Sequence, residues 1–205
     1  MENRTLYVVR HGKIQQEDDQ RRYIGQIDLP LAAAGRQQAR GLRSRFERAE
    51  LGAVFCSDLS RSRETAEIIA GGAGVPIVAR EDLRELSMGE WEGCTFREVA
   101  QRSPEAYRAR GEDIVRFRVP GGESFADCER RVVSALEELL GTSAGNVLIV
   151  GHAGVNRLIL CHILGMPASN LFRLGQDYAC LNIVQCGSSG FQVRLINGRG
   201  SLGRR

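Results

Sequence analysis

Apolar and polar positions alternate along the chain in blocks that change period. Leu6-Tyr7-Val8-Val9 is a short run of β-forming residues and predicts a buried strand. From Gly12 to Leu31 the chain is polar and loop-like. A helix is expected from about Ala34, because Ala39, Leu42, Phe46 and Ala49 recur at helical spacing. Ala53 to Cys56 predicts a second strand, Ser60 to Ala70 a second helix and Pro76 to Ala79 a third strand. Residues 94 to 119 are polar and charged, and predict two short helices in a long excursion.

A strong helix then opens at Ser124. Ser124 and Asp127 have capping-box spacing, and Phe125, Cys128, Val132, Leu136 and Leu139 form one apolar stripe. Asn146 to Val150 predicts another buried strand. Gly154 to Leu164 predicts a helix that Gly165 closes and Pro167 follows. Ala179 to Gln185 and Phe191 to Ile196 predict a β-hairpin around residues 187–190, and residues 198–205 a frayed tail. There is no internal repeat or linker, so residues 1–205 are expected to form a single domain. Strands alternating with helices predict an α/β fold, a three-layer α/β/α sandwich with a mainly parallel sheet.

Such sheets collect ligands beyond the carboxyl ends of their strands. Three predicted strands end in residues that can do chemistry. Val8-Val9 runs into Arg10-His11-Gly12. Leu148-Ile149-Val150 runs into Gly151-His152-Ala153-Gly154. Val54-Phe55-Cys56 runs into Ser57 and, further on, Arg61. A phosphoryl pocket needs guanidinium forks and N–H donors, a nucleophile free at neutral pH, and an acid for the departing alkoxide. Arg10, His11, Arg61, Glu85 and His152 contain that set. Each has a plainer reading when taken alone: His152 as a helix cap or core histidine, Arg61 as a surface arginine paired with Glu64 or Glu67, Glu85 as a solvated carboxylate. His162, on the apolar face with Val155, Leu158 and Ile159, is expected to be a packed or partly buried core histidine.

Composition changes this picture little. Apolar residues make up 42% and charged residues 26%, which is ordinary for a globular chain. The net charge of +3 is too small and scattered to point to nucleic acid. Arginine supplies nearly all the positive charge, Lys13 being the only lysine, which suits an anionic substrate as well as it suits an arginine-rich proteome. No apolar run approaches a membrane span and no signal peptide is read at the start, so a cytoplasmic protein is expected. The six cysteines form no CxxC pair and lie mostly in apolar segments, which favours buried thiols over disulfides or metal ligands. No metal-ligand spacing is present, and neither metal nor cofactor is expected.

Taken together and in order, these pieces resemble the histidine phosphatase superfamily, the phosphoglycerate-mutase-like proteins, over essentially the full length. The resemblance rests on Arg10-His11-Gly12, on Gly25, Asp28, Pro30-Leu31, Gly35 and Gln38-Ala39, and on Ser57, Leu59 and Arg61 with Thr65-Ala66. It continues through Leu83, Glu85, Gly89 and Glu92-Gly93, then Pro120 to Ser124, and ends in Gly151 to Val155. It implies that His11 attacks phosphorus and becomes phosphohistidine. Arg10, Arg61, His152 and the Ala153 N–H would hold the phosphoryl oxygens, with Gly12 beside them. Glu85 would protonate the leaving alcohol and then take a proton from the water that clears the intermediate.

Departures from the family pattern bear on the reaction. Lys13-Ile14 replaces the usual Glu-Thr pair and opens an atypical loop over residues 13–24. Leu86 stands where the mutases have arginine, the excursion is shorter than theirs, and their long tail is missing. These features favour a phosphatase over a mutase. Two stretches look similar to the bacterial α-ribazole phosphatase and broad-specificity branch: Pro120 to Phe125, and Gly89 to Gly93 with Phe172 and Tyr178. The expected partner is a small phosphorylated metabolite, α-ribazole phosphate or a sugar phosphate among the candidates, and a homodimer stays open. The excursion would form a lid in which Arg116 or Arg118 contacts substrate. Arg108, Arg110, Arg116 and Arg118 could reach a second anionic group of the substrate, although a solvated surface balanced by Glu98, Glu105, Glu112 and Asp113 explains the pattern at least as well. The rivals are a phosphoglycerate mutase, a non-enzymatic phospho-ligand-binding module and a metal-dependent hydrolase.

Overall fold

The computed structural model describes residues 3–199 apart from 17, 19 and 189. Six strands form one sheet: β1 (Arg4–Arg10), β2 (Leu51–Ser57), β3 (Ile77–Arg80), β4 (Asn146–Gly151), β5 (Leu181–Gly187) and β6 (Gly190–Gly198). Their order is β3-β2-β4-β1-β5-β6. The pairs β2–β3, β2–β4 and β1–β4 are parallel, while β5 runs antiparallel to both its neighbours. The sheet is therefore mainly parallel, as the alternation of elements predicted.

Side-chain alternation sorts each strand onto two cores. Val9, Val54, Leu148 and Val150 face α1 (Ala33–Phe46) and α2 (Ser60–Ala70). Leu6, Val8, Val147 and Ile149 face the other way, against α5 (Phe125–Thr142) and α6 (Ala153–Leu164). The result is the three-layer sandwich. The excursion folds as α3 (Phe96–Arg102) and α4 (Pro104–Glu112). Thr95 and Glu98 form a capping box at the start of α3, as Ser124 and Asp127 do at the start of α5. An aromatic cluster holds the excursion down: Tyr23 lies 4.3 Å from Phe96 and 5.3 Å from Trp91, and Trp91 lies 5.7 Å from Phe117.

Three sequence expectations need adjustment. Ala49 is buried but lies beyond α1, which stops at Phe46. The tail begins later than Gly198, because Gly198 pairs with Leu181 in β6 and Arg199 is held by Asp177 at 2.9 Å; residues 200–205 lie outside the described residues. His162 is exposed rather than packed, 4.0 Å from Glu137, although it shares the face of Val155 and Leu158. Helix α6 runs past the core by that turn, and Leu164 is exposed there as well.

Candidate active site

The register of two neighbouring strands builds the centre of the site. Arg10 at the end of β1 pairs with Gly151 at the end of β4, so the residues that follow, His11 and His152, emerge side by side. Their rings meet edge to face, 5.1 Å between centroids. The His11 N–H closes the strand ends by donating to Gly151 O at 3.0 Å. Gly12 is required for packing. A Cβ there would lie 2.4 Å from Gly35 O in α1, so only glycine lets the His11 segment sit this close to the helix. The Gly12 N–H donates to Thr65 Oγ1 of α2 at 3.2 Å.

Hydrogen bonds fix both imidazole tautomers. His11 Nδ1 faces Gly12 O at 2.8 Å. A carbonyl only accepts, so Nδ1 carries the proton and Nε2 keeps a free lone pair. His152 Nδ1 accepts from Arg61 Nε at 3.3 Å, which puts the His152 proton on Nε2. Burial drives both pKa values well below 6.5, and the adjacent guanidinium groups of Arg10 and Arg61 push the same way. Both rings are therefore neutral at physiological pH.

Arg61 is buried. It spends Nη1 on Ile27 O (2.6 Å) and Nη2 on Gly25 O (2.7 Å), which fastens the loop before α1 to the site. Its supposed surface partner Glu64 pairs with Arg36 instead. Arg10 stacks over Tyr178, 3.9 Å from the ring centre, and donates from Nη1 to Gln176 O at 2.7 Å. Asn182 of β5 accepts from Gln176 Nε2 at 2.8 Å and donates to Val8 O at 2.9 Å, so the loop carrying Tyr178 is tied back to β1.

Glu85 meets the N-terminus of α6. Gly154 N–H donates to its Oε2 at 3.0 Å, and Val155 N–H to its Oε1 at 3.2 Å. These amides and the helix dipole favour a carboxyl group at this point. Its segment is clipped to α5. Arg131 donates to Asp82 O and Arg84 O and pairs with Glu123, and Glu123 accepts from Ser87 N–H at 3.0 Å.

Buried donors left without partners show what the site lacks. Arg10 Nε and His152 Nε2 have no hydrogen-bond partner among the described residues; Arg4 and Asn156 hold the other such atoms. An orphaned buried donor costs about 1–3 kcal/mol, and native structures keep few. Those of Arg10 and His152 belong to residues at the ends of β1 and β4 that adjoin His11, and donors of this kind suit an oxyanion. Ala153, just after His152, stands on the cavity wall with Arg10, His11, Arg61 and Glu85. The cavity encloses about 580 Å³, far more than one phosphoryl group needs.

The structure thus gathers Arg10, His11, Arg61, Glu85, His152 and Ala153 in one place. It does not bring Gly12 to the wall, and that residue's N–H is already taken by Thr65; His152 too lies off the wall, fully buried behind it with its ring against that of His11. Arg116 and Arg118 are not there either. Arg116 lies out on the surface, 3.8 Å from Asp113, and Arg118 pairs with Asp127 at 2.5 Å. The excursion sends Arg110 into the cavity instead, and α6 sends Arg157. Helical phase could have flagged Arg157, which lies four positions beyond Ala153 on the same face of α6. No metal-binding group of three or more His, Cys, Asp or Glu residues occurs among the described residues. No helix among them is long and apolar enough to cross a membrane. All six cysteines are free thiols, and Cys94 alone is only half-buried.

Comparison with known proteins gives relatives of the same build. The chain is 36% identical over 202 residues to the Mycobacterium tuberculosis (strain H37Rv) protein named Bifunctional protein Rv2228c, covering 96% of this chain and 54% of that one. The chain thus spans about half the length of that relative. It is 37% identical over 164 residues to "Probable phosphoglycerate mutase GpmB" of Escherichia coli O1:K1, covering 80% of this chain and 76% of the other. Among solved structures, the α-ribazole phosphatase of Shigella flexneri superposes with a TM-score of 0.88 at 28% identity, covering 98% and 99% of the two chains. The family model for the histidine phosphatase superfamily (branch 1) matches residues 6–199, and the chain belongs to that superfamily.

Proposed function

We propose that the protein is a phosphomonoester hydrolase that acts on a small phosphorylated metabolite through a phosphohistidine. His11 Nε2 attacks phosphorus in line with the ester oxygen, and the P–O bond breaks as the N–P bond forms. Glu85, entering as the acid, gives its proton to the leaving alkoxide. As carboxylate it then takes a proton from water, and the resulting hydroxide displaces His11 and frees inorganic phosphate. Arg10, Arg61, the His152 Nε2–H and the Ala153 N–H hold the oxyanion. The observation that carries this reading is the pair of complementary neutral rings 5.1 Å apart, one with a free lone pair and the other with an orphaned N–H. The family match and the α-ribazole phosphatase neighbour support hydrolysis of a phosphate ester, and the free buried thiols support a cytoplasmic setting.

Quenching in alkaline detergent during turnover of a ³²P-labelled ester tests the intermediate. A base-stable, acid-labile label is expected on wild type and none on His11→Asn. Label of undiminished yield on the variant would reject the mechanism. Activity surviving EDTA, with free phosphate as product and no isomerisation of 3-phosphoglycerate, separates the hydrolase from its metal-dependent and mutase rivals.

A further inference from the structure

The floor of the cavity provides for one phosphoryl group. Its outer wall is a different surface. Arg110 of α4 and Arg157 of α6 both line it. The Arg110 guanidinium lies over Tyr23 (5.4 Å) and Phe125 (6.0 Å), and that of Arg157 over Phe172 (5.5 Å). Phe125 and Phe172 meet edge to face at 5.8 Å. Tyr23, Arg110, Phe125, Phe172 and Arg157 thus form one stripe in which cations flank aromatic rings.

Among the described residues the charge on this stripe is uncompensated. Arg157 donates from Nε to Leu174 O at 2.8 Å and has no carboxylate partner among the described residues. Arg110 has neither a hydrogen-bond nor an ion-pair partner among them. Both are half-buried, and burial lowers both pKa values. By contrast, Arg36, Arg80, Arg84 and Arg131 each hold a carboxylate, and Arg61 two backbone carbonyls. Among the described residues Glu85 is the one carboxylate on the cavity wall, which Arg10, Arg61, Arg110 and Arg157 share without an ion pair of their own. A single phosphate dianion balances only part of that excess. A partly desolvated guanidinium without a counter-ion is held at a cost that an anionic ligand would relieve.

We propose that the Arg110–Phe125–Phe172–Arg157 stripe is a subsite for a second acidic group on the leaving side of the substrate. The protein would then select phosphomonoesters whose alcohol carries a carboxylate or further phosphoryl group beside a flat or apolar segment. The acid lies between the two guanidinium groups and the flat segment lies on the rings. A neutral or cationic leaving group gains nothing from this wall. The inference rests on the hydrolase reading above.

The test compares isosteres. 4-Carboxyphenyl phosphate and 4-carbamoylphenyl phosphate share shape but differ in charge, and the 3-substituted pair varies the reach. The carboxamide makes the better leaving group, so intrinsic chemistry works against the expected result. Wild type is expected to favour the carboxylate by about tenfold in kcat/KM, chiefly through KM, since a hydrogen bond to a charged group is worth about that factor. Added salt shrinks the preference. In Arg110→Met the ratio falls towards one, while Arg116→Met keeps it. 1,4-Phenylene bisphosphate separates the two acids: preference for it alone assigns the subsite to phosphate, and preference for the carboxylate assigns it to carboxylates. Equal or reversed wild-type ratios for every pair would overturn the inference, as would a retained preference in an Arg110→Met protein of native melting profile. Failure to turn over any aryl phosphate sinks the hydrolase reading itself; turnover of all of them at matched efficiency sinks only the subsite.

Discussion

The two ends of the cavity are built on opposite principles. At the floor, each group is positioned by the backbone: His11 by Gly12 O, Arg61 by Gly25 O and Ile27 O, Glu85 by the amides of Gly154 and Val155. On the outer wall, among the described residues, Arg110 is placed by ring faces alone, and Arg157 by the Phe172 face with a single bond to Leu174 O. Hydrogen bonds fix a group to a few tenths of an ångström, whereas stacking on a ring tolerates sliding. The floor is thus shaped for one chemical group and the wall for a class of molecules. Substitutions at the floor should change kcat, and substitutions on the wall should change KM and preference.

The largest effect should come from the floor. His11→Ala should lower kcat for an aryl phosphate by at least on the order of 10⁴-fold, as removal of a covalent nucleophile does. A phosphate-release assay in EDTA reads it, and wild-type turnover would erase the distinction between the two ends. Next, Glu85→Gln should cost about 10²–10⁴-fold on alkyl phosphates. It should cost much less on 4-nitrophenyl phosphate, whose leaving group needs no proton. Equal losses on both esters would show that Glu85 serves the helix rather than the alcohol.

A third effect is one of pH. His11 and His152 have folded pKa values below their unfolded value of 6.5, so below that pH the unfolded chain binds more protons. Their contribution to stability is complete above pH 6.5 and is lost as pH falls towards the folded values. Each adds a slope of about 1.4 kcal/mol per pH unit in that window. Urea titrations between pH 7 and 5 should show stability dropping on the acid side, with roughly half that slope in His152→Asn. A pH-independent midpoint would mean that the rings are not buried neutral. The smallest effect belongs to the surface: Arg116→Met and Arg118→Met should each leave kcat/KM within about twofold and stability within about 0.5 kcal/mol. A tenfold rise in KM for either would restore it to the lid.

The same contrast explains what could be read from the chain. The floor was legible because its residues sit at strand ends, and strand ends announce themselves by an apolar run stopping at Arg10-His11-Gly12 or Gly151-His152. Those runs also carried the parallel sheet. Arg61 and Glu85 needed the family pattern, since nothing local distinguishes a buried guanidinium from a solvated one. The wall was legible only as a stretch of candidates. Arg108, Arg110, Arg116 and Arg118 lie in one charged stretch, and which of them turns inward depends on how α4 docks against Tyr23 and Phe125, a tertiary fact. His162 misled for a related reason: helical phase tells which way a side chain points, not whether the core reaches that far.

The place of β1 in the sheet has a consequence for how the protein is made. The strand that presents residue 11 is synthesised first, yet it lies between β4 and β5, with Leu6 paired to Val147 and to Val184. On the ribosome it has no edge to join until most of the chain has emerged. Contacts so distant in sequence slow folding and leave an apolar strand waiting in the open. The reactive centre is therefore among the last parts to take shape, and a nascent chain stalled before residue 181 should hold neither the complete sheet nor any activity.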